Sequence, residues 1–186
     1  MADQIVRAFL AIELSERLKS EAQSFLESIQ NELTGFRLIP PQNWHLTLHF
    51  FGSVELHQLE KITPQLSDTL SNVKPFSISL AGFGAFPNAR KPRIIWIGTG
   101  GEIQSLSELK NKLDHTLQKA RFEIESRPYH PHITIARIKT GHPVPQFNRP
   151  FNGKITDQVC QITLFKSDLA SKVPIHTPLQ IFPLAF

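Results

Sequence analysis

Two histidine–threonine pairs carry most of the chemistry in this 186-residue chain. His45 and Thr47 stand in "NWHLTLHFFG", and His132 and Thr134 in "YHPHITIARIK". Each pair alternates with aliphatic residues, Leu46 and Leu48 in one copy, Ile133 and Ile135 in the other. On a strand, residues two apart share a face and lie about 6–7 Å apart. Each pair therefore offers an imidazole and a hydroxyl side by side, with its aliphatic residues turned to a core. Imidazole titrates near neutral pH, so one ring can act as base while its twin acts as acid. A hydroxyl can donate to an oxygen that bears negative charge. Two such donors flanked by a base and an acid suit an in-line displacement at phosphorus. One histidine takes a proton from the attacking oxygen, and the other gives one to the leaving oxygen. The threonines hold the non-bridging oxygens. The scheme needs no metal and no cofactor.

A single copy of this tetrapeptide is weak, because His and Thr are ordinary occupants of a strand's solvent face. Two copies on two strands, nearly half the chain apart, make the signal. A zinc site is the first rival: by strict alternation His45 and His49 share a face, as do His130 and His132. No Cys, Asp or Glu lies within either cluster. The chain has no G-x-S-x-G, no GxxxxGK[ST] and no GxGxxG opening a helix, which removes the signatures of a serine hydrolase and of two nucleotide-binding folds. Cys160, in "VCQITLF", reads as a core residue of a strand.

The elements that must position these residues follow from periodicity. "IVRAFLAIEL" reads as a buried strand. Ser15 then caps a helix on Leu18, Ala22, Phe25, Leu26, Ile29 and Leu33, which Gly35 ends. The first motif strand follows Pro40–Pro41. A second helix carries Leu59, Ile62, Leu66 and Leu70; Pro64 either kinks it or opens a new helix capped by Thr63. "FSISLAGF" and "PRIIWIGTG" form two strands. A third helix runs from about Glu102 to Arg121, followed by "HITIARI", a loop with Pro143, Pro145 and Pro150, and two last strands near "VCQITLF" and "LQIFPLAF". Mixed order with strands in excess predicts an α+β fold. The repeated motif predicts two similar lobes, each presenting one strand to a shared cleft.

Residues 1–186 are expected to form one domain, since no low-complexity linker divides them. About 40% of the chain is apolar and no apolar run is long enough to span a membrane. The formal charge of +4 is compatible with an anionic ligand. One cysteine forms no internal disulfide, and "MADQIVRAFLAIELSE" is a poor secretory signal, so a cytoplasmic setting and a monomer are the expectations.

These segments resemble the 2H phosphoesterase superfamily, and within it the RNA 2′,3′-cyclic phosphodiesterases historically called 2′-5′ RNA ligases. "RAFLAIEL" is similar to that family's opening strand, and "NWHLTLHFFG" and "PHITIARIK" to its two motifs. "LAGFGAFPNARKPRIIWIG" is similar to its central hairpin and "LFKSDL" to its late strand. The resemblance implies two lobes of mostly antiparallel sheet with outer helices and the active cleft between them. It implies His45 as proton donor to the leaving oxygen and His132 as proton acceptor from water, with Thr47 and Thr134 on the phosphate; the residues alone leave donor and acceptor open. The implied reaction opens a terminal 2′,3′-cyclic phosphate of RNA, tRNA fragments among the candidates, to a 2′-phosphate. A 5′-hydroxyl replacing water would form a 2′-5′ linkage without ATP.

Arg137 also matches a basic residue that the family uses near the phosphate. Strict alternation aims it away from His132, so it reaches the cleft only if the strand twists, bulges or ends there. Phe9, Trp44 and Tyr129 are candidates for stacking on a base, against a core role for each. Arg90 and Lys91 are candidates for backbone contacts. Two departures stand out: His130 where the family often has an aromatic or aliphatic residue, and "SKVPIHTPLQ", without the Gly and Tyr associated with that place. The alternatives are an RNA-binding module with little turnover, or a phosphodiesterase for small cyclic nucleotides or 2′-5′ oligoadenylate.

Overall fold

The computed structural model describes residues 4–138, 151–169 and 173–185. Strand β1 (Ile5–Glu13) leads into helix α1 (Glu16–Ile29), and a 3-10 turn (Gln30–Leu33) into a two-residue strand, β2 (Arg37–Leu38). A 3-10 turn (Pro41–Asn43) precedes β3 (His45–Glu55) and helix α2 (Leu56–Leu70). The hairpin β4 (Phe76–Phe86) and β5 (Ile94–Gly101), helix α3 (Ile103–Lys119) and β6 (His132–Arg137) follow. Strands β7 (Asn152–Val159), β8 (Gln161–Asp168) and β9 (Ile175–Pro183) close the chain. Among the described residues, no helix is long and apolar enough to cross a membrane.

Local chemistry explains the helices. The Ser15 hydroxyl accepts the Leu18 N–H at 3.3 Å, one of the donors a helix start leaves unpaired. In α2 the helix continues through Pro64 and neither ends nor restarts there. Thr63 instead donates its hydroxyl to Leu59 O at 2.8 Å, inside the helix. A proline within a helix costs about 3 kcal/mol. Burial of Leu59, Ile62, Leu66 and Leu70 offsets this at about 1.5–3 kcal/mol each.

All pairings are antiparallel, in the order β7-β4-β5-β6-β3-β1-β8-β9, with β2 beside β6. The fold is therefore α+β. At the centre, β3 and β6 pair through one residue pair only, Leu46 with Ile133. The sheet is thus two halves joined at a seam, and each motif strand is the inner edge of its half. Leu46, Leu48, Ile133 and Ile135 enter a core shared with Leu18 of α1, Leu66 of α2 and Leu113 of α3. A second, small cluster of Phe9, Ala11 and Phe165 lies apart from it.

Two expectations are corrected. The late chain forms three strands, not two, because the edge strand β7 alternates without becoming apolar enough to be read. Val159 ends β7 and Gln161 begins β8. Cys160 is therefore the joint between two strands, partly exposed, with its carbonyl accepting the Leu184 N–H at 2.8 Å.

Candidate active site

The seam assembles the two motifs. Carrying the Leu46–Ile133 register one residue each way sets His45 opposite Thr134 and Thr47 opposite His132, since antiparallel partners run in reverse. Leu46 and Ile133 point into the core, so the histidines and threonines share the other face. The cleft between the halves thus has two similar walls related by an approximate two-fold.

Both imidazoles are held in the same way. His45 Nδ1 donates to Asn43 O at 2.8 Å, and His132 Nδ1 to His130 O at 2.7 Å. A carbonyl only accepts, so each Nδ1 carries the hydrogen and each Nε2 is left for chemistry. The Pro41–Asn43 turn aims the Asn43 carbonyl, and Asn43 Nδ2 ties that turn to Pro174 O at 2.7 Å. The ring of His45 is stacked on Phe9 at 4.7 Å and meets the edge of His176 at 5.4 Å. On the other wall, His132 meets Phe86 edge-on at 4.9 Å, with Trp96 at 6.4 Å. Gly84 is what lets Trp96 lie there, because a Cβ at that position would strike the indole.

This packing disfavours the charged form of both rings. Burial above all pulls His45 down to about 4; the Asn43 carbonyl opposes this, and the charges of His176, Arg137 and His132 add to it. Burial also lowers His132, opposed by the His130 carbonyl and assisted by His130 and Arg137. His130 thus acts in the direction expected of a like charge. The field of Arg137 reaches both histidines.

A β-bulge brings Arg137 there. Trp96 pairs with Thr134 and Ile95 with Ala136, so β6 advances two residues while β5 advances one. The inserted residue is Ile135. Ile135 and Ala136 are both buried, and Arg137 returns to the face of His132 and Thr134. The first motif carries the same device: Ala11 pairs with Thr47 and Leu10 with His49, which makes Leu48 the insertion. His49 therefore turns inward, 7% exposed and edge-on to Phe51 at 4.7 Å. His45 and His49 do not share a face, so the four-imidazole zinc cluster is not assembled. Among the described residues, no group of three or more His, Cys, Asp or Glu is placed to hold a metal ion.

The same shift turns Phe50, 63% exposed, to the cleft side, 5.8 Å from Phe9. Its open ring is of the kind on which single-stranded bases stack. The structure places the three candidates for stacking as follows. Trp44 is 2% exposed, with Nε1 donating to Ile39 O at 2.8 Å. Phe9, 3% exposed, has its faces against His45 and Phe165. Tyr129 is partly buried and donates its hydroxyl to Thr47 O at 2.9 Å, so it braces the strand beneath Thr47. Its burial raises the phenol's pKa and keeps that donor protonated. Arg90 and Lys91 are exposed in the turn after Phe86, their N–H groups on Asn88 Oδ1 at 3.0 and 3.1 Å. Phe50, Phe86, Trp96 and His176 were not legible as cleft residues, because each reaches the site through strand pairing and not through a motif.

Two imidazoles, each pinned through Nδ1, two hydroxyls and a guanidinium thus lie along one seam, the set of groups that chemistry on a phosphoester calls for. The chain belongs to the LigT-like phosphoesterase family, whose model matches twice, at residues 12–96 and 97–176, with one motif in each copy. An RNA 2′,3′-cyclic phosphodiesterase of Methanothermobacter thermautotrophicus is 32% identical over 96% of this chain and 99% of its own. One of Archaeoglobus fulgidus is 31% identical over 95% and 99%. A solved Thermus thermophilus protein superposes with a TM-score of 0.80 at 30% identity, over 96% of this chain and 97% of its own. Escherichia coli LigT complexed with 3′-AMP shares the fold, with a TM-score of 0.83 at 23% identity over 98% and 100%.

Proposed function

We propose that this protein opens 2′,3′-cyclic phosphate ends of RNA to 2′-phosphates, as the names of its relatives state for them. The observation that carries the reading is the seam, where the Leu46–Ile133 pair sets two identically pinned imidazoles on facing walls. His132 Nε2 takes a proton from water as its oxygen attacks phosphorus. The bond from phosphorus to O3′ breaks, and His45 Nε2 delivers a proton to that oxygen. Thr47, Thr134 and Arg137 hold the non-bridging oxygens, where the fork of Arg137 suits two at once. The donor and acceptor roles follow the family resemblance; the two walls are otherwise near equivalents. A 5′-hydroxyl in place of water gives a 2′-5′ linkage by the same steps, and water's abundance makes hydrolysis dominant.

Mass analysis of the products from a defined RNA with a 2′,3′-cyclic phosphate end, with phosphorus NMR to tell a 2′-phosphate from its isobaric 3′ isomer, tests the reading. The expected product gains one water and carries the phosphate on O2′. A 3′-phosphate, or unchanged RNA at stoichiometric enzyme, overturns it.

The acid must carry a proton, yet the free protein holds His45 down at about 4 and lowers His132 as well. A bound phosphate anion favours the charged imidazole and raises both. The pH profile of kcat/KM reports the free enzyme and that of kcat the complex, with apparent values that belong to the pair. The alkaline limb of kcat is therefore expected at higher pH than that of kcat/KM. Coincident limbs would show that substrate charge does not set the proton on the acid.

A further inference from the structure

Tyr129 and Thr47 belong to opposite halves of the sheet. Tyr129 stands in the segment that leads into His132 and β6, and Thr47 is on β3. The two strands pair only through Leu46 and Ile133, and a joint of one residue pair leaves two walls free to pivot about it. The Tyr129 hydroxyl donates to Thr47 O at 2.9 Å, a second tie across the same seam, one residue along β3 from the first. Because the peptide is planar, a held carbonyl also holds the Cα that bears the Thr47 side chain. The next residue after Tyr129 supplies the carbonyl that pins His132 Nδ1 at 2.7 Å. One short segment therefore orients the second histidine and reaches across to the first motif.

The ring of Tyr129 is itself held. It packs against the main core, and Lys110 Nζ of α3 stands 5.4 Å from its centre, within range for a cation over a π face. Lys110 is 7% exposed and ion-paired with Asp114, one turn further along α3. The charges of both also reach His49, which the bulge turns inward from β3. Among the described residues, His49, Lys110 and Thr163 are the buried polar or charged ones. Two of these three gather around the phenol, behind the seam.

We propose that Tyr129 is a positioning residue for the reaction: its hydroxyl sets the separation of the two motif strands and so places the Thr47 hydroxyl on the phosphate, with the Lys110–Asp114 pair steadying its ring. The assignment rests on the function proposed above and adds to it a group that does not touch the substrate. A buried ion pair contributes little net stability, because desolvation offsets its attraction. What this one supplies is a fixed seat for the ring.

Tyr129→Phe removes one oxygen and keeps the ring, and single-turnover rates on a cyclic-phosphate RNA read its effect. With the protein in saturating excess these rates do not depend on the fraction folded. The rate is expected to fall about tenfold, part of the 10²-fold that a misplacement of about 1 Å can cost. The protein concentration for half-saturation is expected to stay within about twofold, because the loss falls on the transition state. In a Thr47→Val background the same change is expected to cost less than about threefold, since Tyr129 acts through Thr47. Thr69→Val removes a hydroxyl contact of similar kind between α2 and α3, Thr69 with Thr116 at 2.8 Å, and is expected to keep the native rate. Tyr129→Phe at native speed, a full tenfold loss in the Thr47→Val background, or an equal fall in Thr69→Val each overturns the assignment of Tyr129 alone. A native protein that does not open the RNA overturns the function beneath it.

Discussion

His45→Ala and His132→Ala are each expected to lower kcat by about 10²–10⁴-fold, the range for removing a positioned acid or base. Their placement is what makes the effect large. Each ring is oriented by a carbonyl two residues upstream and packed by aromatics, so its Nε2 arrives without searching. Asparagine or glutamine in the same place can donate a hydrogen bond but cannot exchange a proton near neutral pH, and the same loss is expected. The double variant is expected to fall little further than the single ones, because the two groups act on one transfer and their effects do not add. Single-turnover rates on a cyclic-phosphate RNA measure this, with circular dichroism as the check on folding. Either alanine variant at native speed would remove its histidine from the mechanism.

Arg137→Ala is expected to lower kcat by about 10²-fold, the lower end of the range for removing one preorganised donor to developing charge. Among the described residues this guanidinium has no carboxylate partner, and its field already spans both histidines. Arg137→Lys is expected to recover part of the rate, since lysine restores the charge but not the planar fork. A second consequence separates charge from packing. Arg137 contributes to lowering both imidazoles, so its removal should move both limbs of the kcat/KM profile to higher pH. A variant with full activity and an unmoved profile would return Arg137 to the role of a surface residue on β6.

Much of the site could be read along the chain. Alternation of polar and aliphatic residues is a local property of a strand, and it placed His45 with Thr47 and His132 with Thr134. Helical spacing found α1, α2 and α3, and Ser15 announced the first of them. Alternation also misled wherever an extra residue entered a strand. It put His49 beside His45 and aimed Arg137 away from the cleft, and the insertions at Leu48 and Ile135 reverse both. A bulge is defined by its neighbour's hydrogen bonds, so nothing within β3 or β6 alone marks it.

Local composition, then, was enough to say which side chains could do acid–base chemistry and that they lay on strands. Pairing between distant segments set the rest: the seam at Leu46 and Ile133, the burial of Trp44 and Phe9, the tie of Tyr129 to Thr47, and the meeting of Arg37 with Arg137. The reason is one of range. A strand's two faces follow from backbone geometry at each residue, whereas its partner, its register and its bulges depend on residues a hundred positions away in the chain.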